Sequence, residues 1–165
     1  YDRMNELNKI AAEYAETRDK VIRNQLFAIE TAVNQQMREI SLRLLKDEKH
    51  MPPVLRMEKL NKYTFDTPND GGTGAQYRGV ITFDLANFKL TPLPFVIHDM
   101  QMLLYIEKKV LAEIIKAYEE QEQSGKQVFI AFDRLDTYDA ETQRTMMGHC
   151  VLELSPDGNE LFGRA

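Results

Sequence analysis

The sequence predicts an α/β fold: a long helix leading into a small domain built on a parallel βαβ unit. Three observations carry that expectation. From Asp2 to about Lys49 there is no Gly and no Pro, and apolar residues recur mostly at threes and fours. Two short apolar runs follow later, Pro94-Phe95-Val96-Ile97-His98-Asp99 and Lys126-Gln127-Val128-Phe129-Ile130-Ala131-Phe132. Between them, Leu103 to Gln123 carries Leu104, Val110, Leu111, Ile114, Ile115 and Tyr118 at helical spacing and stops at Ser124-Gly125. Strand, helix, strand with so long a connection is a crossover between parallel strands, and both strands are expected to be buried.

The first element is the longest. Leu7, Ile10, Tyr14, Val21, Leu26, Ile29, Val33, Met37, Ile40 and Leu44 stay roughly on one helix face, interrupted where Arg18 and Gln25 fall near the seam. Such a helix runs ~70 Å at 1.5 Å per residue. A solitary exposed helix gains little, so the stripe calls for a partner, either a coiled-coil strand or a helix of a bundle. His50-Met51-Pro52-Pro53 ends it, because each proline removes a donor and restricts the residue before it. The composition changes there, dividing the chain into a helical arm (1–50) and a globular lobe (51–165).

Within the lobe, Val54-Leu55-Arg56-Met57-Glu58 and Lys62-Tyr63-Thr64-Phe65 read as two strands with turn chemistry around Asn61. The loop from Asp66 to Gly74 precedes a helix expected from Tyr77 to about Phe88, with Ile81, Leu85 and Phe88 facing a core. Asp139 to Met147 reads as a short helix. Val151-Leu152-Glu153-Leu154, the turn Ser155-Pro156-Asp157-Gly158, and Leu161-Phe162 read as a closing hairpin.

Composition narrows the classes. Of 165 residues, 21 are Lys or Arg and 26 are Asp or Glu, for a net charge of −5. The pI of about 5.3 argues against a chain-wide basic surface for nucleic acid. No apolar run approaches the ~20 residues that a bilayer span needs. One cysteine, Cys150, excludes an internal disulfide framework and suits a reducing, cytoplasmic setting. The chain opens on Tyr1 with no signal-like segment, which reads as a piece of a longer protein.

Two constellations can carry chemistry. Gly71-Gly72-Thr73-Gly74-Ala75-Gln76 stands just before a helix, where backbone N–H groups and the helix N-terminus suit an anion. The plain alternative is a Gly-rich turn capped by Thr73. No G-x-x-x-x-G-K-[ST] occurs, so this is no phosphate-cradling P-loop. The second is Asp99, an acid at the C-terminal end of an apolar strand, where ligands bind in open α/β sheets and where Mg²⁺ can be held through water; the plain alternative is a helix N-cap. His98 reads better as a packing residue than as a base. His149 and Cys150 are neighbours, but adjacent strand residues face opposite ways, so Cys150 is expected to be a buried structural thiol.

Taken in order, Thr73-Gly74-Ala75-Gln76, a helix, and an apolar strand ending in Asp99 resemble the C-terminal lobe of ABC-type ATPases. More closely, Gly72-Thr73-Gly74-Ala75-Gln76-Tyr77-Arg78-Gly79, Phe83-Asp84-Leu85 and Leu93-Pro94-Phe95-Val96-Ile97-His98-Asp99 resemble a bacterial C-terminal family of unknown function found on SMC-like and RecN-like coiled-coil ATPases. The resemblance covers roughly residues 51–132 and implies roles. Gly72, Thr73, Gly74, Ala75 and Gln76 would form the signature loop, touching the γ-phosphate of ATP held by the opposing head. Asp99 would be the Walker-B acid acting on Mg²⁺, and Glu107 would stand near the D-loop acid where heads meet. An N-terminal half with the Walker-A loop and an antiparallel coiled-coil helix would complete the head. Heads would pair as a homodimer, with DNA as a possible cargo.

Three departures qualify this. Met100 stands where most ABC enzymes place a catalytic Glu, Asp133 stands where a switch His is usual, and Thr73 replaces Ser. Two other readings therefore remain: a non-catalytic coiled-coil interaction module with a degenerate ATPase-like lobe, and an unrelated α/β domain whose Gly-rich loop is only a turn.

Overall fold

The computed structural model describes residues 2–46, 50–133 and 135–155. It is a mixed helix–strand fold in which a long N-terminal helix leans on a lobe containing a hairpin and a parallel strand pair.

Helix α1 spans Asp2–Leu45, 44 residues, or ~65 Å. It ends about four residues short of the expected Lys49, because Lys46 turns into the left-handed region (φ 54°) while its N–H still reaches the Leu42 carbonyl at 3.0 Å. The expected stripe divides into two. Leu26, Val33, Met37 and Leu44 are buried, whereas Leu7, Ile10, Tyr14, Val21 and Ile29 are exposed. Only the second half of α1 therefore finds a partner among the described residues.

That partner is the hairpin of β1 (Val54–Lys59) and β2 (Lys62–Asp66), antiparallel from Val54↔Asp66 to Lys59↔Lys62. Two polar side chains of α1 satisfy the outer edge of β1. The Asn34 amide donates to the Leu55 carbonyl and accepts from its N–H, both at 2.8 Å, and Glu30 accepts from the Met57 N–H at 2.8 Å. An edge that would otherwise be open to another strand is closed by a helix.

Helix α2 spans Thr73–Leu90. It begins four residues earlier than the expected Tyr77, so the Gly-rich stretch is partly helix and not wholly loop. The smaller of two cores joins Val33, Met37, Leu55 and Ala86 between α1, the hairpin and α2. Gly79 lies on this side, where a Cβ would come within 2.7 Å of the Thr67 methyl.

Strands β3 (Phe95–His98) and β4 (Gln127–Ile130) pair in parallel, Phe95↔Gln127 through His98↔Ile130, as the βαβ reading requires. The single helix expected over Leu103–Gln123 is instead α3 (Met100–Leu104), a bend at Tyr105–Glu107, α4 (Lys108–Glu119) and a 3₁₀ turn ending at Gly125 (φ 70°). The bend tucks Ile106 into the core that joins Leu44, Ile81, Leu85, Leu103, Leu111, Ile114 and Met146. Helical periodicity survives such a break because both sides of it point inward. The strands are not buried as expected. His98 faces the core, but Phe95, Ile97 (68% exposed) and Phe129 (45% exposed) form an uncovered apolar face.

Helix α5 (Ala140–Gly148) follows, capped by Asp139, whose carboxylate accepts from the Glu141 and Thr142 N–H groups at 3.0 Å and from the Thr142 hydroxyl at 2.7 Å. These bonds hold the Asp139 carboxyl below its ordinary pKa. Val151–Leu154 is irregular, not a strand, Ser155 makes an isolated bridge, and residues 156–165 of the expected hairpin lie outside the described residues. Among the described residues, no helix is long and apolar enough to cross a membrane.

Candidate functional site

The Gly-rich stretch becomes the first turn of α2. Gly72 is the N-cap (φ −69°, ψ 146°) with no side-chain capping bond, and Gln76 N–H closes the turn on the Gly72 carbonyl at 3.0 Å. Thr73 is thus the first helical residue and not a cap, which removes the plain reading of a Thr-capped turn. The first N–H groups of a helix have no intrahelical acceptor, so this end carries a partial positive charge. Ala75 is buried, while Gly72, Thr73 and Gln76 are exposed. Gly74 is required by packing: a Cβ there would sit 2.2 Å from the Tyr105 carbonyl oxygen. Tyr77 and Tyr105 stack with ring centroids 5.9 Å apart. The α2 start is therefore pressed against the bend that leads into Glu107, the N-cap residue of α4, which is exposed and makes no side-chain cap.

Asp99 lies on the other flank, between β3 and α3, and is exposed; its carbonyl accepts from the Met102 N–H at 3.1 Å. Helix α3 spans the five residues from there to the Tyr105 bend, ~8 Å of helix. Thr73–Gln76 thus meets the bend before Glu107, and α3 separates that bend from Asp99. Among the described residues, no three His, Cys, Asp or Glu side chains converge as a metal site. Asp99 is a carboxylate of the kind that can hold Mg²⁺ through water, since that ion keeps several of its waters.

Directly beneath Asp99, His98 is 1% exposed and hydrogen-bonded at both ring nitrogens. Nδ1 lies 2.6 Å from the Tyr118 hydroxyl of α4, and Nε2 lies 3.0 Å from Asp84 Oδ2 of α2. Burial, reinforced by the Asp84 charge, pushes the Tyr118 hydroxyl well above its ordinary pKa, so it stays protonated and donates to Nδ1. With Tyr118 donating to Nδ1, a proton on Nε2 points at the Asp84 carboxylate, which can accept it. The expectation of a packing His is right in outline, but the polar partners were not foreseen: Asp84 and Tyr118 stand 14 and 20 residues away. A buried His facing a helix with one acid off the apolar face was the available signal.

Other candidates disperse. Cys150 is exposed, not buried, because it follows the helix cap at His149 and not a strand; its Sγ lies 3.6 Å from the Leu152 carbonyl. Asp133 is exposed beyond β4. Arg43 of α1 forks onto the Glu120 carboxylate at the end of α4, which lowers the Glu120 pKa and raises that of Arg43.

Comparison with solved structures supports the architecture. The chain is similar to a crystal structure of the SMC head bound to the C-winged helix domain of ScpA, with a TM-score of 0.53 and 14% identity over 67% of this chain; it spans 37% of that one. It is also similar to a chain from structural work on ATP-driven dimerization and DNA-stimulated activation of SMC ATPases, with a TM-score of 0.53 and 15% identity over 80% of each chain. The fold is thus that of an SMC-type ATPase head lobe preceded by a long helix. No curated protein matches the chain. A sequence profile matches residues 29–165, and the chain accordingly belongs to the family described as an uncharacterised protein conserved in bacteria (DUF2326).

Proposed function

We propose that this chain is the C-terminal part of an SMC/RecN-like ATPase that supplies a signature-like turn and a Walker-B acid for ATP-driven engagement of two heads in the cytoplasm. The observation that carries it is the helix start. Thr73-Gly74-Ala75-Gln76 forms a partly exposed first turn of α2 with no side-chain cap, and the next strand leads directly into Asp99, within a fold similar to SMC heads. Gly72, Thr73, Gly74, Ala75 and Gln76 would offer N–H groups, a hydroxyl and an amide to a phosphate of ATP held by the opposing head. Asp99 would hold Mg²⁺ through water, and Glu107 would lie at the head interface. Bound Mg²⁺–ATP would supply the charge that draws two heads together. The uncovered face of Phe95, Ile97 and Phe129 supports a further layer contributed by an N-terminal half, since parallel sheets are covered on both faces. Residues 1–50 would be the arm, with the exposed stripe of Leu7, Ile10, Tyr14 and Val21 seating an antiparallel coiled-coil helix. DNA is the cargo this reading suggests, by analogy with the SMC ATPases.

Two variants of the full-length protein test the reading. Asp99→Asn should weaken Mg²⁺-dependent turnover, and Thr73→Arg should block head pairing while sparing nucleotide binding. If both turn over and pair like the parent, the site assignment is wrong. A second reading draws on Met100 following Asp99: a non-catalytic coiled-coil interaction module. It predicts pairing with no ATP turnover in the parent protein, and a gene lacking a G-x-x-x-x-G-K-[ST] loop upstream of Tyr1 would favour it.

A further inference from the structure

We infer that Asp84, His98 and Tyr118 are positioning residues that brace the end of β3 and so hold Asp99 in place; this rests on the reading of Asp99 as the metal acid. Strand β3 is only four residues long, pairs with one neighbour along the described chain, and has Phe95 and Ile97 exposed. His98 is its single buried residue. Apolar burial alone would leave so short a strand free to slip or rotate, and a one-residue slip exchanges its faces. The imidazole removes that freedom, because its two nitrogens are bonded to different helices, Nδ1 to Tyr118 on α4 and Nε2 to Asp84 on α2.

The strand end is thereby tied to two helices, one peptide unit (~3.8 Å between Cα atoms) before Asp99. His98 is buried, while Asp99, the residue that follows the strand, is exposed. Asp84 also stands 11 residues along the helix that opens with Thr73, ~17 Å from it. The brace therefore ties the acid-bearing strand and the signature-like turn to one rigid element. Partners of this kind around metal ligands carry measurable affinity although they never touch the ion.

The test compares Asp84→Ala, Asp84→Asn, Tyr118→Phe and Asp99→Asn in the full-length protein. Asp84 is about one-third exposed, and Asp84→Asn keeps an acceptor beside Nε2 should Asp84→Ala fail to fold. Two readouts are used: amide hydrogen exchange at Met102 and Ile106, and Mn²⁺ titration by EPR on protein loaded with a non-hydrolysable ATP analogue. Asp84→Ala and Tyr118→Phe should speed exchange at both amides and weaken Mn²⁺ binding about tenfold. Asp84→Asn, whose carbonyl can still accept from Nε2–H, should recover most of the loss. Unchanged exchange in Asp84→Ala would overturn the brace. Faster exchange with parental Mn²⁺ affinity would overturn the positioning role, provided that Asp99→Asn abolishes binding. Parental Mn²⁺ binding in Asp99→Asn would overturn the site reading itself, and this inference with it.

Discussion

Gly74→Ala is the most informative single change, because the structure fixes the sign of its effect. A Cβ built on Gly74 meets the Tyr105 carbonyl oxygen at 2.2 Å and its carbon at 3.2 Å. Ordinary contact lies near 3.5 Å, so the α2 start and the bend must separate by about 1 Å. The obstacle is backbone, next to buried Ile106, and cannot rotate away as a side chain would. Overpacking of this kind costs about 1–3 kcal/mol. Replacing Gly by Ala in a helix returns up to about 1 kcal/mol. The expected net is a loss of about 1–2 kcal/mol, or a fall in the urea midpoint of about 0.5–1 M at a slope near 2 kcal/mol/M that stays unchanged. Gly148→Ala is the control. Nothing lies within 4 Å of a Cβ there, so only the helix gain remains and the midpoint should rise. If Gly74→Ala matches or exceeds the parent in stability while Gly148→Ala gains, the close approach of α2 to the bend is wrong, and with it the grouping of Thr73–Gln76 with Glu107.

Three further outcomes follow from the packing. Asn34→Ala should cost about 1–3 kcal/mol in chemical unfolding, since it orphans the part-buried N–H and carbonyl of Leu55; a parental midpoint would mean water replaces both bonds without loss. The Arg43–Glu120 pair is about half exposed on both sides, so a double-mutant cycle should give no more than about 1 kcal/mol. Because Glu120 has a depressed pKa in the folded protein, that coupling is present above its ordinary value of 4.5 and vanishes as pH falls through the lower folded value; a coupling that persists in strong acid would contradict the pairing. Asp139 follows the same sign, since its pKa is also lowered. Asp139→Ala should lower the melting temperature at pH 7 and leave it close to the parent's in strong acid, while Asp139→Asn keeps much of the cap; equal melting of parent and Asp139→Ala at pH 7 would refute it.

Much of the fold was legible along the chain because its signals are local. The Gly- and Pro-free stretch forms α1, the strands flanking Asn61 form β1 and β2, and the two apolar runs around a helical spacing pair in parallel. Asp139 opens α5 as its side-chain chemistry dictates. What periodicity could not supply was contact across sequence. The helix break at Tyr105–Glu107 is invisible to a pattern that points inward on both sides of it. The α2 start at Thr73 was obscured by three glycines that look like loop, whereas Gly74 is there to admit a carbonyl from 31 residues away. Apolar residues in Phe95, Ile97, Phe129 and the first half of α1 marked faces to be covered, but only packing shows which of them this chain covers itself.

The candidate site divides along the same line. Composition and order determined the signature-like residues and the acid at a strand end, because those are statements about neighbours in the chain. The union of Asp84, His98 and Tyr118 was decided by tertiary structure alone. Each is unremarkable in its own element, and they meet only because α2 and α4 pack on the same face of β3, where a buried imidazole must find partners for both nitrogens.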